Sequence, residues 1–204
     1  MRSGIRRWIF VMLMLAAGAP RAWAGSQDGR FDALGRDFLG EWLARRPQAA
    51  TRLGEHSHDD ELHAITAQSV ASDLEWLREM RELLSSIPRE KLSVERRLDR
   101  DVLASRIERE ILELDEVRSW ARNPNTYVDL VSSPIQALLQ RDFSPLCSRI
   151  QSATRRLRAV PEILRAAPLN LEHPPRIYTE IAISQLDGVL TFYRVTMGDR
   201  KSVV

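Results

Sequence analysis

The stretch Ser93-Val-Glu-Arg-Arg-Leu98-Asp-Arg-Asp-Val102-Leu-Ala-Ser-Arg-Ile107-Glu-Arg-Glu-Ile111-Leu-Glu-Leu114-Asp-Glu-Val117-Arg-Ser-Trp120 decides the fold class. Its apolar residues Leu98, Val102, Ile107, Ile111, Leu114 and Val117 recur at helical spacing, which predicts one amphipathic helix from a Ser93 cap to about Trp120. The other faces carry interleaved acids and bases, the pattern of a solvated helix with i,i+4 pairing. Acid pairs such as Asp99 and Asp101, or Asp115 and Glu116, belong to that surface, and nothing marks them as an acid–base couple.

The same period appears on both sides of this stretch. Phe31, Leu34, Phe38 and Trp42 share one helix face. Pro47 breaks that helix, a short one follows through Leu53, and Gly54 supplies its stop. Ala67 to Ser85 predicts a helix with Val70, Leu74, Leu77 and Leu84 on one side, ended by Ile87-Pro88. Asn123-Pro124-Asn125 signals a turn, with a helix starting at Tyr127 or Pro134 and ending at Gln140. Ser144-Pro145 reads as an N-cap with proline in the first turn. The helix it opens places Leu146, Ile150 and Leu157 on its apolar face and breaks or restarts at Val160-Pro161. Leu169 to Arg176 reads as extended, stiffened by Pro174 and Pro175. A last helix begins at Ile177 and packs through Ile177, Ile181 and Val189. No run alternates apolar and polar long enough to make a strand. The expected fold is all-α, a multi-helix array.

Both ends read as something other than fold. Arg2, Arg6 and Arg7 precede the apolar run Trp8–Ala17, and Ala22-Trp23-Ala24 offers small residues to a signal peptidase. Residues 1–24 are therefore expected to be a secretory signal peptide; the run is shorter than the roughly 20 residues of a membrane span. The protein is expected to be exported, periplasmic or extracellular, with no membrane span after processing. Residues 199–204, Asp-Arg-Lys-Ser-Val-Val, match the translation of a sequencing adapter, gat-cgg-aag-agc-gtc-gtg, followed by its stop. The expectation is a helical domain over 25–198, incomplete at its C-terminus. A native basic tail is the alternative.

The whole chain has 30 basic and 28 acidic residues. Setting aside Arg2, Arg6, Arg7 and Arg21 of the leader, and Asp199, Arg200 and Lys201 of the tail, leaves 24 bases and 27 acids. That slightly acidic body has no basic stripe with interleaved aromatics, so no nucleic-acid footprint is present. The single cysteine, Cys147, excludes an internal disulfide and is expected to be a small buried apolar residue.

Enzymatic motifs are missing. There is no His-Glu-x-x-His, no Gly-x-Ser-x-Gly, no Walker loop and no Gly-x-Gly-x-x-Gly. His56, His58 and His63 lie beside Asp59, Asp60 and Glu61, which are metal-ligand types. They sit in a loop without the i,i+4 spacing that pre-orients a zinc pair, and a solvated loop is the expectation. His173, beside two prolines, is read as positional. No catalytic, cofactor-binding or metal residue is assigned.

Several ordered pieces resemble a known family. They are Phe31-Asp-Ala-Leu with Phe38-Leu-Gly-Glu-Trp-Leu, then Pro47-Gln-Ala-Ala-Thr-Arg-Leu-Gly-Glu-His56 with Asp59. Leu98-Asp-Arg-Asp-Val-Leu, Trp120-Ala-Arg-Asn-Pro124 with Tyr127, and Arg141-Asp-Phe143 follow. Pro174-Pro-Arg-Ile-Tyr-Thr-Glu180 with Ala182 and Gln185 completes the series. Together they resemble the N-terminal part of the large bacterial family of unknown function numbered 885. The resemblance implies a mostly helical, longer protein related to gluzincin zinc metallopeptidases. It implies a zinc site, a hydrolase activity and a peptide substrate in a C-terminal catalytic part missing here, with no cofactor in this fragment. His56, Asp59, Tyr127 and Glu180 are the matching positions that could face a substrate cleft; each is also readable as structural. Two functions stay open. One is the non-catalytic N-terminal helical lobe of an exported zinc-dependent peptidase. The other is a periplasmic helical binding or interaction module without enzymatic activity.

Overall fold

A computed structural model describes residues 26–200. The expected leader, residues 1–24, and the last four residues of the adapter-like tail lie outside the described residues. Helices dominate, and among the described residues there is no strand. In order they are α1 (Gln27–Arg45), α2 (Pro47–Leu53), α3 (Ala67–Ser85), α4 (Val94–Leu112), α5 (Ser119–Arg122), α6 (Asn125–Gln140), α7 (Leu146–Asn170) and α8 (Arg176–Arg200). None is long and apolar enough to cross a membrane.

Local chemistry sets most of the boundaries. The Ser26 hydroxyl accepts from the Gly29 amide to cap α1, and Thr66 and Ser69 form a reciprocal capping box on α3. Gly54 ends α2 at φ 89°, a left-handed conformation that glycine adopts without strain. Ser93 caps α4 as expected. Ser144 does not cap α7: Pro145 itself stands at the cap, and the helix begins one residue later.

The long helix expected from Ser93 to Trp120 is interrupted. After Leu112 the backbone widens into a π-turn over Glu113–Val117 and reverses at Arg118, a non-glycine residue at φ 54°. The reversal is held by short-range side-chain bonds and by Glu172, whose carboxylate pairs with Arg118 and whose amide donates to the Ala121 carbonyl. The Trp120 indole donates to the Leu114 carbonyl, and the Tyr127 hydroxyl donates to the Trp120 carbonyl at 2.6 Å. The buried face of α4 also differs from its apolar pattern. Leu98 and Val102 are 66% and 63% exposed, whereas Ile107 and Ile111 are buried.

Two packed regions result. In the first, α1, α3 and α4 enclose Phe31, Phe38, Trp42, Trp76, Leu77 and Ile107, with the Phe38 and Trp76 rings stacked at 5.2 Å. In the second, α6 and α7 enclose Leu130, Val131, Ile163, Ile135, Leu138 and Ala153. α8 lies on α6 and adds Phe192 and Tyr193 to that core. The expected packing residues Ile177 and Ile181 are exposed; Ala182 is the buried residue of that turn.

α7 departs furthest from its sequence reading. It runs unbroken through Pro161 and Pro168. Pro161 is exposed, so its ring displaces nothing in the core. The helix continues to Asn170, which shortens the expected extended segment. Of its expected apolar face, Ile150 and Leu157 pack partly buried against the core while Leu146 is exposed, and the fully buried positions are Arg149, Ala153, Arg156, Ile163, Ala166 and Asn170. Two arginines therefore occupy core positions of an otherwise small, apolar stripe. Cys147 is exposed, contrary to expectation, because it lies in the first turn of α7 away from that stripe.

Candidate functional site

The segment 54–66 crosses between the two packed regions, and its anchoring starts at Arg156. This side chain is fully buried. Nε donates to the Glu61 carbonyl at 2.9 Å and Nη1 to the Pro134 carbonyl at 2.8 Å. Nη2 donates to the Thr51 hydroxyl at 2.6 Å and to the Pro47 and His58 carbonyls. One planar cation thereby joins α7 to α2, α6 and the crossing segment. Burial lowers its proton affinity, while Asp59, Asp60 and Glu61 act in the opposite direction.

Thr51 relays this contact. Its oxygen accepts from Arg156, and its one proton is best placed for Asp59 Oδ1 at 2.7 Å, closer than the Pro47 carbonyl at 3.1 Å. The second oxygen of buried Asp59 lies 2.9 Å from His56 Nδ1. An ionised carboxylate only accepts, so Nδ1 carries the hydrogen and Nε2 is the nitrogen left for other partners. The His56 ring stacks on Phe143 at 3.7 Å. Thus Arg156, Thr51, Asp59, His56 and Phe143 form one chain of contacts.

This corrects the picture of a solvated histidine loop. The loop is built into the fold, because its carbonyls are the acceptors that satisfy a buried guanidinium. The three imidazoles do not converge. His58 meets Glu61 Oε1, and His63 meets Glu61 Oε2, each at 3.1 Å. Among the described residues no three histidine, cysteine or carboxylate side chains are arranged to hold a metal ion.

The four matching family positions do not share one cleft. Tyr127 is buried; its hydroxyl donates to Trp120 and accepts from Asn170 at 2.9 Å. Burial raises its pKa, with the Asn170 bond opposing. Asn170 also donates to the Ile65 carbonyl, so Tyr127 is a structural strut. Glu180 stands on exposed α8 and pairs with Arg176 at 2.6 Å. Only His56 and Asp59 are brought together. His173 is exposed at φ 47°, in the bend before α8. Asp99, Asp101 and Asp115 pair separately with Arg96, Arg89 and Arg78.

Arg156 and Arg149 escaped the sequence reading. Arg149 donates to the carbonyls of Leu138, Leu139 and Arg141, placing a cation on the C-terminus of α6, where unpaired carbonyls accumulate. The signal available was the spacing 149, 153, 156 and 163. The adjacent Arg155 and Arg158 concealed it by making the run look uniformly charged.

A family model for bacterial proteins of unknown function, DUF885, matches residues 47–202. The chain belongs to that family. Curated protein sequences offer no match. A solved structure from Shewanella oneidensis, described as that of a "putative lipoprotein of unknown function", shares the fold of this DUF885 chain. The TM-score is 0.76 at 19% identity, covering 82% of this chain and 30% of that one. The chain thus spans less than a third of the length of the protein it matches. At that identity the likeness concerns the fold alone.

Proposed function

We propose that this DUF885 chain is the non-catalytic N-terminal helical lobe of an exported, longer protein whose remaining part carries a zinc-dependent peptidase centre. The observation that carries the lobe reading is the extent of the likeness: four fifths of this chain corresponds to under a third of a longer protein. Export rests on the basic, apolar and Ala-Trp-Ala segments of residues 1–24. The peptidase assignment rests on the family resemblance. Zinc and a peptide substrate would then belong to the longer protein, and this chain's residues would form one wall of its cleft.

Two experiments test this. Genomic sequence past the Gly198 codon should continue in frame and encode a His-Glu-x-x-His-like site; a native stop after Val204 would favour the alternative, a periplasmic binding or interaction module. The 204-residue chain should bind no stoichiometric zinc and cleave no peptide. Tight one-to-one zinc binding, lost on His56→Ala with His58→Ala, would overturn the assignment of zinc to the remaining part.

A further inference from the structure

A cavity of about 630 Å³ opens where the α1–α2 corner meets the start of α3. Its apolar wall consists of Trp42, Ile65, Val70, Leu114 and Trp120. Its polar side is unusually rich in guanidinium groups: Arg45, Arg46, Arg52 and Arg106 all line it, with the carboxylates Glu41 and Asp73.

The charges can be assigned one by one. Arg45 pairs with Glu41 and Asp73, each at 2.8 Å. Arg46 and Arg106 both reach Glu110 at 2.5 Å, and Trp42 Nε1 donates to the same carboxylate at 2.9 Å. Arg46 and Arg106 also stand over the Trp42 ring, 5.3 and 4.7 Å from its centroid. Three cations are thereby matched by three acids. Arg52 remains: it is exposed at the mouth of the cavity, and among the described residues its guanidinium meets no carboxylate within 4 Å and makes no hydrogen bond.

The geometry points to this cavity as a binding site for a carboxylate carried on an apolar body, with Arg52 as the anion-binding group. The apolar wall takes the side chains, and the guanidinium fork accepts a carboxylate in bidentate fashion. The size suits a ligand of two or three residues. The site is independent of the peptidase reading: an absence of zinc chemistry in the longer protein leaves it standing, and an absence of binding leaves the family reading untouched.

The test is a titration of the 204-residue chain with N-acetyl-Leu-Phe as the free acid and as its C-terminal amide, followed by tryptophan fluorescence and by the indole N–H resonances of Trp42 and Trp120. Saturable binding of the acid is expected, with the amide weaker by about tenfold or more, the usual weight of a hydrogen bond to a charged group. Arg52→Ala should weaken the acid by a similar factor and leave the amide unchanged. Its melting temperature should match wild type, since Arg52 makes no side-chain bond. Arg158→Ala removes an equal charge from α7, away from the cavity, and should leave both affinities alone. Equal binding of acid and amide, equal effects of the two substitutions, or no saturable binding up to about 10 mM, the range of very weak affinity, would each overturn the proposal.

Discussion

The two packed regions solve the same problem with opposite materials. The α1–α3–α4 region closes around aromatic and aliphatic side chains, and its arginines stay at the rim. Arg97 and Arg100 there reach the carbonyls of Leu92, Glu90, Ile87 and Leu84 from the edge of the core. The α6–α7 region takes Arg149 and Arg156 inside. The difference follows from what each must hold. The first region joins long helices face to face, which apolar contact does well. The second must also secure the irregular crossing segment 54–66, whose backbone carbonyls need donors once buried. A guanidinium with five N–H groups supplies several at one point.

That contrast can be broken most directly at Arg156. Arg156→Met should destabilise the chain by about 3–5 kcal/mol, the cost of stranding several buried acceptors and the facing carboxylate. Urea denaturation measures it; a loss below about 1 kcal/mol would mean that the crossing segment holds itself. Leu77→Ala, in the apolar region, should cost about 2–5 kcal/mol from lost burial and a residual cavity. The two variants should differ in kind as well. Arg156→Met should loosen segment 54–66 in hydrogen exchange before global unfolding, whereas Leu77→Ala should lower protection across α1, α3 and α4 together.

A smaller effect sharpens the comparison at the α6–α8 contact. Burial pushes the Tyr193 hydroxyl up to about 12, and that hydroxyl donates to the Val131 carbonyl. The ordinary tyrosine value is 10.0. The unfolded chain therefore releases this proton first. The stabilisation is complete below pH 10, declines as pH rises above it, and is gone above about 12. Thermal melts of wild type should fall through that window, and Tyr193→Phe should flatten part of the fall. Tyr127, also raised by burial, retains the rest.

The smallest effect on stability is expected on the outer side of α8. Ile183 and Leu190 are exposed. Ile183→Ser with Leu190→Ser should change stability by only about 0.5 kcal/mol. The same pair should reduce self-association in sedimentation, because it removes apolar surface from solvent.

Much of the helical layout was legible. α3 spans Ala67–Ser85 as its apolar period predicts, and Gly54 ends α2 as expected. Phe31, Phe38 and Trp42 share the buried face of α1. These features are local: a period, a cap or a glycine acts within one or two turns. The candidate site was legible only in part. The 56–63 cluster was visible as residue types. Its tether to Thr51, Phe143 and Arg156 was not, because those partners are distant in sequence.

By itself, then, the sequence determined the all-α class, where most helices begin, and which family the chain resembles. Tertiary structure decided which side of each helix faces inward. Periodicity reports that a helix has an apolar side, but burial depends on the neighbours that arrive there. Hence Leu98 and Val102 stay in solvent while Arg149 and Arg156 do not. The reversal at Arg118 is of the same kind. No glycine or proline stands at that position to announce it, and besides the local bonds of Trp120 and Tyr127 it is tied to Glu172, more than fifty residues away in sequence, through the Arg118 ion pair and the Ala121 carbonyl.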